Sequence, residues 1–383
     1  MAMDVLYIPL IIMLGIGFIN LFKKELTPQN FKTLQLLFFF HLVAGAYYCF
    51  FIPGDAVGYW RVPKNYSFQR FTEDIFNGEG TMFMYALNFP FTNLLGMSYL
   101  SNTLLFSLFG FIGMAFFYMV AVKTIPYSKI INGYALFPLL FFMPNLHIWS
   151  VAVGKDSLLF LCIGMFVYGI MSPMKRIPLL VISVLLTMAV RPHMLLFMMV
   201  GFGMAYVFGG KVSGFQRIIF SVAMLGIGIA ILPSVMEFAK IEEASVEAFD
   251  DFADKKSAVL GRASSGSAID ISSYPLPLKV LTFWFRPLFF DAHNVNSLLA
   301  SIENLVLVSL FIMAMRLKPL TAFKAAPFVI KGMVIFLIVG SLAFSQSMGN
   351  LGIMIRMRNM FLPGMLIFIL WVFSYHYQTR GKG

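Results

Sequence analysis

NTLLFSLFGFIGMAFFYMVAV, residues 102–122, carries no charged side chain. At about 1.5 Å of helical rise per residue it is long enough to cross the ~30 Å hydrocarbon core of a bilayer. Similar runs lie near 5–22, 33–52, 133–152, 157–173, 177–190, 194–209, 216–235, 297–315, 326–345 and 360–377. The chain of 383 residues is 60% hydrophobic and only 12% charged, with a mean hydropathy of +0.84. That is more apolar surface than a soluble core can hide, so lipid must solvate it. The 44 Phe and 27 Met are spread along the whole length, without alternating ten-residue segments, which favours helices over barrel strands. The expected fold is all-α, a polytopic transmembrane helical bundle of roughly eleven spans forming a single membrane domain over residues 1–383.

Charge placement then orients the bundle. The first run, Val5–Phe22, has no basic residues before it and is followed by Lys23 and Lys24. This reads as a retained span with the N-terminus outside, not a cleaved signal peptide. Alternate loops collect Lys32, Lys123, Lys129, Lys175, Arg176, Lys211, Arg217, Arg316, Lys318, Lys324, Arg380 and Lys382 as well, with Glu25 as their one acid, and are assigned to the cytoplasm together with the C-terminus. The net charge of +11 is therefore a topology signal rather than a nucleic-acid footprint. Two long connections, about 53–101 and 236–296, fall outside. The second begins with an acidic amphipathic stretch, IEEASVEAFDDFADKK, and continues into GRASSGSAID, which reads as a flexible lid or loop. The apolar but interrupted stretches 81–100 and 276–290 read as interfacial or re-entrant.

Ionisable groups at membrane depth are costly, so those at the outer boundary are the functional candidates. Asp55 follows the second run between Gly54 and Gly58, as a general base, as a cation ligand or as part of a turn. Lys155 and Asp156 sit at a hairpin tip, where Asp156 or Ser157 would otherwise simply cap the next helix. His147, nearby, reads as a hydrogen-bonded packing histidine. Arg191 stands before Pro192 and His193, either as an anion ligand or as a snorkelling span end. In FWFRPLFFDAHN, a short helix would put Arg286 and His293 on one face with Asp291 offset, and an interfacial aromatic belt is the competing reading. Arg356 and Arg358 would face one way in an extended approach and splay by about 200° in a helix. Two guanidiniums there suit a diphosphate, whose oxygens match their fork of donors.

Other chemistries lack their motifs. There is no GxxxxGK[ST], HExxH or GxSxG, and Cys49 and Cys162 have neither disulfide nor metal spacing. No metal or other cofactor is called for. Catalysis would instead use a lipid-borne activated donor whose diphosphate leaving group arginines stabilise.

At these residues the chain resembles bacterial membrane polysaccharide polymerases, the O-antigen polymerase (Wzy-type) and EpsG-like group of GT-C-like glycosyltransferases. GDAVGYW, PNLHIWSVAVGKDSLLF, the RPH at 191–193, FRPLFFDAHN and the arginine pair before the last run carry the resemblance. It implies a multi-pass protein of the bacterial inner membrane that joins undecaprenyl diphosphate-linked oligosaccharides at the periplasmic face. By that resemblance Lys155, Arg191, Arg286, Arg356 and Arg358 would bind diphosphate, and Asp55, Asp156, Asp291 and His293 would supply acid-base chemistry. The expected partners are the lipid-linked oligosaccharide, membrane lipid and other envelope biosynthesis proteins, with no nucleic acid. The alternatives are a lipid-linked oligosaccharide flippase and a noncatalytic membrane subunit of an envelope assembly complex.

Overall fold

A computed structural model describes residues 4–52, 54–126, 136–209 and 266–380, with isolated positions between 214 and 259. The run 216–235 and the acidic stretch 241–256 lie, but for such positions, outside the described residues. Every described regular element is a helix, apart from one isolated antiparallel bridge between Ala268 and Asn350. The chain divides into two compact units, residues 1–123 with 138–191, and residues 124–137 with 192–383.

In the first unit the long helices are α1 (Asp4–Asn20), α2 (Pro28–Phe51) and α6 (Tyr99–Thr124). Between α2 and α6 lie α3 (Ala56–Arg61), α4 (Phe68–Asn77) and α5 (Thr81–Phe89), the last followed by a π turn, Pro90–Leu94. After α6 the expected run 133–152 is not one helix over its described part. It forms α7 (Leu136–Leu139), a 3-10 turn (Leu140–Phe142) and α8 (Pro144–Ile148). Prolines cause the breaks: Phe137 and Met143 each precede a proline and adopt ψ of 127° and 124°, outside the helical region. The hairpin α9 (Lys155–Ile170) and α10 (Ile177–Val190) completes the unit.

Helix α6 packs on α9 through glycines. A Cβ on Gly113 would meet the Phe160 carbonyl at 2.5 Å, and one on Gly164 would meet the Gly113 carbonyl at 2.5 Å. Without side chains there, the two backbones approach closely enough to make direct dispersion contacts.

The second unit contains α11 (Pro192–Gly209), α12 (Leu276–Phe285), α13 (Val295–Met315), α14 (Pro319–Ala325), α15 (Phe328–Ser347), α16 (Leu351–Arg358) and α17 (Leu362–Arg380). Helices α11 and α15 pack extensively on each other, with Gly201 against Phe336 and Gly332 against Phe202. Among the described residues four helices, α2, α6, α13 and α15, are long and apolar enough to cross a membrane. The pair α16 and α17, meeting at 63°, adds a fifth if counted as one bent span. These long apolar helices are compatible with a membrane protein.

Each unit has two chemically different ends. At one end of the first unit Lys123 pairs with Glu25 at 2.5 Å, while Arg176 lies over the Tyr168 ring at 3.6 Å and donates to the Tyr168 carbonyl at 2.6 Å. The opposite end gathers Asp4, which accepts from Ser98 Oγ, the α3–α5 segment and the first turn of α9. In the second unit Lys331 packs beside Gly209 at the end of α11, away from His193, whose ring lies 5.8 Å from that of Phe344 near the end of α15.

Candidate functional site

In the first unit the structure joins two groups that the sequence presents separately. Asp156 does not cap α9. The cap position is Gly154, at φ 153°, a conformation that L side chains rarely adopt, and a Cβ there would also crowd the Tyr59 ring at 3.2 Å. Lys155 follows, half-buried, and Asp156 turns inward with 5% exposure. Its carboxylate meets Arg191 Nη2 at 3.1 Å. Arg191 is extended (φ −153°, ψ 90°) because Pro192 disfavours the helical region at the residue before it, and its N–H closes α10 on the Thr187 carbonyl at 2.8 Å. The acid thus sits at a helix N-terminus and the base at a helix C-terminus, so each charge also complements the dipole of its own helix.

Asp55 is exposed immediately before α3. Its charge reaches Tyr99, at the start of α6. A buried amide pair holds α3 in place. Asn88 and Asn102 donate to each other's oxygens at 3.2 and 2.9 Å, and Asn88 also donates to the Tyr59 carbonyl at 2.8 Å. In apolar surroundings such saturated polar links fix helices relative to one another. Asp55, Lys155, Asp156 and Arg191 therefore share the end of this unit opposite Lys123 and Arg176.

The second unit repeats the device. Helix α12 ends at Phe285, so Arg286 and His293 do not share a helical face as the short-helix reading expects. Arg286 is extended before Pro287, joined to it by a cis peptide bond, and its N–H bonds the Thr282 carbonyl at 3.1 Å. The chain then folds back through a 3-10 turn, Phe289–Asp291, and Asp291 takes a two-point hydrogen bond from Arg286 at 3.0 and 2.5 Å. Burial pushes the Asp291 carboxyl upward in pKa, but the Arg286 hydrogen bonds, the Leu288 N–H and the guanidinium charge outweigh it and leave it below its usual range. His293 is exposed beside Gly266, with Nδ1 3.1 Å from the Asp291 carbonyl.

Arg356 and Arg358 lie on helix α16, not on an extended approach, because Asn350 caps the helix by accepting from the Gly352 and Ile353 N–H groups at 3.0 and 3.2 Å. They consequently diverge. Arg356 is half-buried, whereas Arg358 is 2% exposed. The Arg358 guanidinium donates to Asn304 Oδ1 at 2.7 Å and to the carbonyls of Phe283 and Trp284. Those carbonyls belong to the last turn of α12, which has no intrahelical donor for them. Asn304 in turn donates to the Pro287 carbonyl at 2.7 Å. Arg358 and Asn304 together hold both sides of the corner that presents Arg286.

The lid reading of GRASSGSAID meets a partial correction. Ile269 N–H bonds the Gly349 carbonyl at 3.0 Å and Leu351 N–H bonds the Ser267 carbonyl at 2.9 Å, which pins the end of that stretch beside the α16 cap. Residues 261–265 lie outside the described ones.

The residues that sequence reasoning passed over are Thr187, Thr282, Asn88, Asn102 and Asn304. The signal for the first two is a string that occurs twice, TMAVRP at 187–192 and TFWFRP at 282–287. In both, threonine receives the arginine N–H, proline extends the arginine, and an aspartate meets its side chain. Among the described residues no group of three or more His, Cys, Asp or Glu gathers as metal ligands would. Lys129, Lys211, Arg217 and Lys382 lie outside the described residues.

No protein-family model, curated protein or solved structure matches the chain.

Proposed function

We propose that the chain is an integral membrane glycosyltransferase of the polysaccharide-polymerase type, joining lipid diphosphate-linked oligosaccharides at the outer face of a bacterial inner membrane. The observation that carries this reading is the Arg-Pro corner found in each unit, at the end away from the unit's basic loops. A guanidinium placed there and partly shielded from water suits a departing diphosphate. In the first unit Lys155 and Arg191 are the diphosphate ligands, and exposed Asp55 is the base. In the second, Arg286 and Arg356 supply the same recognition. The reaction forms a bond from an acceptor sugar hydroxyl oxygen to the anomeric carbon of the donor. The bond from that carbon to diphosphate breaks, the electron pair leaves with the diphosphate, and the hydroxyl proton passes to the carboxylate.

The finer topology belongs to the same proposal: roughly eleven spans, N-terminus outside, C-terminus cytoplasmic, and outer connections near 53–101 and 236–296. Reconstituted protein supplied with a labelled lipid-linked donor should elongate glycan without moving the donor across the bilayer. Arg286→Ala and Arg356→Ala should stop polymer formation at unchanged protein abundance. Normal chain length in both variants would refute the enzyme.

A further inference from the structure

His41 and His147 play no part in the chemistry above. They lie in the first unit, on α2 and α8, and both are 0% exposed. Their Nδ1 atoms are 2.8 Å apart, and His147 Nε2 is 2.7 Å from the Phe141 carbonyl. A carbonyl only accepts, so His147 Nε2 must carry the hydrogen. In neutral His147 the Nδ1 atom is then a lone pair, and the hydrogen between the rings belongs to His41 Nδ1. Neutral His41 is left with a bare lone pair on Nε2.

That nitrogen is buried without a hydrogen-bond partner among the described residues. What faces His41 from α6 and from the turn after α8 are the carbonyls of Ser107 and Ser150, which are acceptors like the lone pair itself. Gly110 allows the approach, since a Cβ there would lie 1.8 Å from the Ser150 carbonyl oxygen and 3.1 Å from His41 Nε2. Aromatic rings also flank the pair: Phe40 stands edge-on to His147 at 4.7 Å and Phe111 lies 6.2 Å from His41. Among the described residues no Asp, Glu, Lys or Arg acts on either ring, and the titratable group facing each histidine is the other.

We infer that the His41–His147 pair is a binding site for one proton, taken up on His41 Nε2. With it, Nε2 becomes a donor toward a backbone carbonyl, the inter-ring hydrogen bond becomes charge-assisted, and each ring nitrogen has a partner. The chain then runs from carbonyl through His41 and His147 to the Phe141 carbonyl, with three hydrogens for three links. Without it, two hydrogens serve three links. Burial opposes the added charge, and the completed hydrogen bonds favour it. The bound proton ties α2 to the segment 141–150. This inference stands apart from the glycosyltransferase reading.

The test uses the full chain in lipid nanodiscs with ¹⁵N-labelled histidine. His193→Asn, His293→Asn and His376→Asn combined leave the pair as the sole imidazoles and assign its signals in the wild-type spectrum. The expected result, while the protein stays folded, is that acidification converts one ring of the pair to imidazolium and strengthens the coupling between the Nδ1 atoms. The amide protection factors over 141–150, which divide out the intrinsic pH dependence of exchange, should rise by about tenfold as the proton binds. If both rings stay neutral until the protein unfolds, or take up protons with no change in protection at 141–150, the site does not exist.

Discussion

Replacing Arg358 with methionine separates a positioning arginine from a ligand-binding one. The substitution keeps much of the side-chain length and removes the guanidinium from a site that is 2% exposed. It leaves Asn304 Oδ1, which accepted at 2.7 Å, and the Phe283 and Trp284 carbonyls without their donor. It also leaves buried Glu303, whose charge Arg358 feels, without that compensation. Hydrogen bonds to a charged group are worth roughly 1.5–3 kcal/mol each, and breaking a buried ionic arrangement from one side costs roughly 3–5 kcal/mol. The expected loss is thus about 3–5 kcal/mol, read as a shift in denaturant midpoint in mixed micelles by tryptophan fluorescence. Asn304→Leu should cost a similar amount because it also frees the Pro287 carbonyl, and the double variant should show a coupling of about 1–3 kcal/mol. Arg356→Met, half-buried on another face of α16, should shift the midpoint less than Arg358→Met does while polymer formation falls. An Arg358→Met protein within about 0.5 kcal/mol of the parent would refute the positioning role.

Three further outcomes follow from the same geometry. Asp291 has its pKa depressed in the folded protein, so its contribution to stability is present above the ordinary carboxylate range and is lost as pH falls through the lower folded value; Asp291→Asn should flatten that acid limb in a pH series of midpoints, and an unchanged limb would remove the pair as its cause. Arg191→Leu should destabilise by about 3–5 kcal/mol by taking the guanidinium away from the buried Asp156 carboxylate, while Arg191→Leu with Asp156→Leu regains most of that stability without regaining polymer; wild-type polymer from the double variant would make the pair purely structural. Gly113→Leu should force α6 from α9, where a Cβ already meets the Phe160 carbonyl at 2.5 Å, and abolish folded yield, while Gly17→Leu, with open space around it, should leave yield unchanged.

Uniform apolar helices were plain in the residues, since unbroken apolar runs of that length without alternation favour helix over strand. The run 102–122 lies within α6, which is long enough to cross a membrane, whereas the run 177–190 coincides with α10, a helix of 14 residues and so shorter than the span it was read as. The stretch 133–152 hid its breaks because proline is itself apolar in composition, although its effect on Phe137 and Met143 is local and readable. Arg356 and Arg358 could not be oriented without knowing that Asn350 would cap a helix there. Partner choice was the least legible part. Asp156 and Arg191 meet across a hairpin, and Arg358 and Asn304 meet across 54 positions, so each pairing depends on how helices pack and not on spacing.

The twice-used corner shows how local rules and packing combine. Thr-x-x-x-Arg-Pro ends a helix with a satisfied N–H and turns arginine outward from the helical path, and every part of that is local. What the string does not specify is the counter-ion. In the first unit it arrives from the next helix in the hairpin, as Asp156 on α9. In the second it arrives by fold-back, as Asp291 just beyond the proline. An aspartate reaching the same arginine geometry by two routes means that the corner sets the chemistry and the surrounding chain supplies the carboxylate. A diphosphate would have to compete with that carboxylate for the guanidinium. Added pyrophosphate should therefore protect the parent protein against denaturant less than it protects Asp156→Asn or Asp291→Asn, in which the arginine has lost its anionic partner. Equal protection of all three proteins would mean that the arginines at these corners do not take phosphate at all.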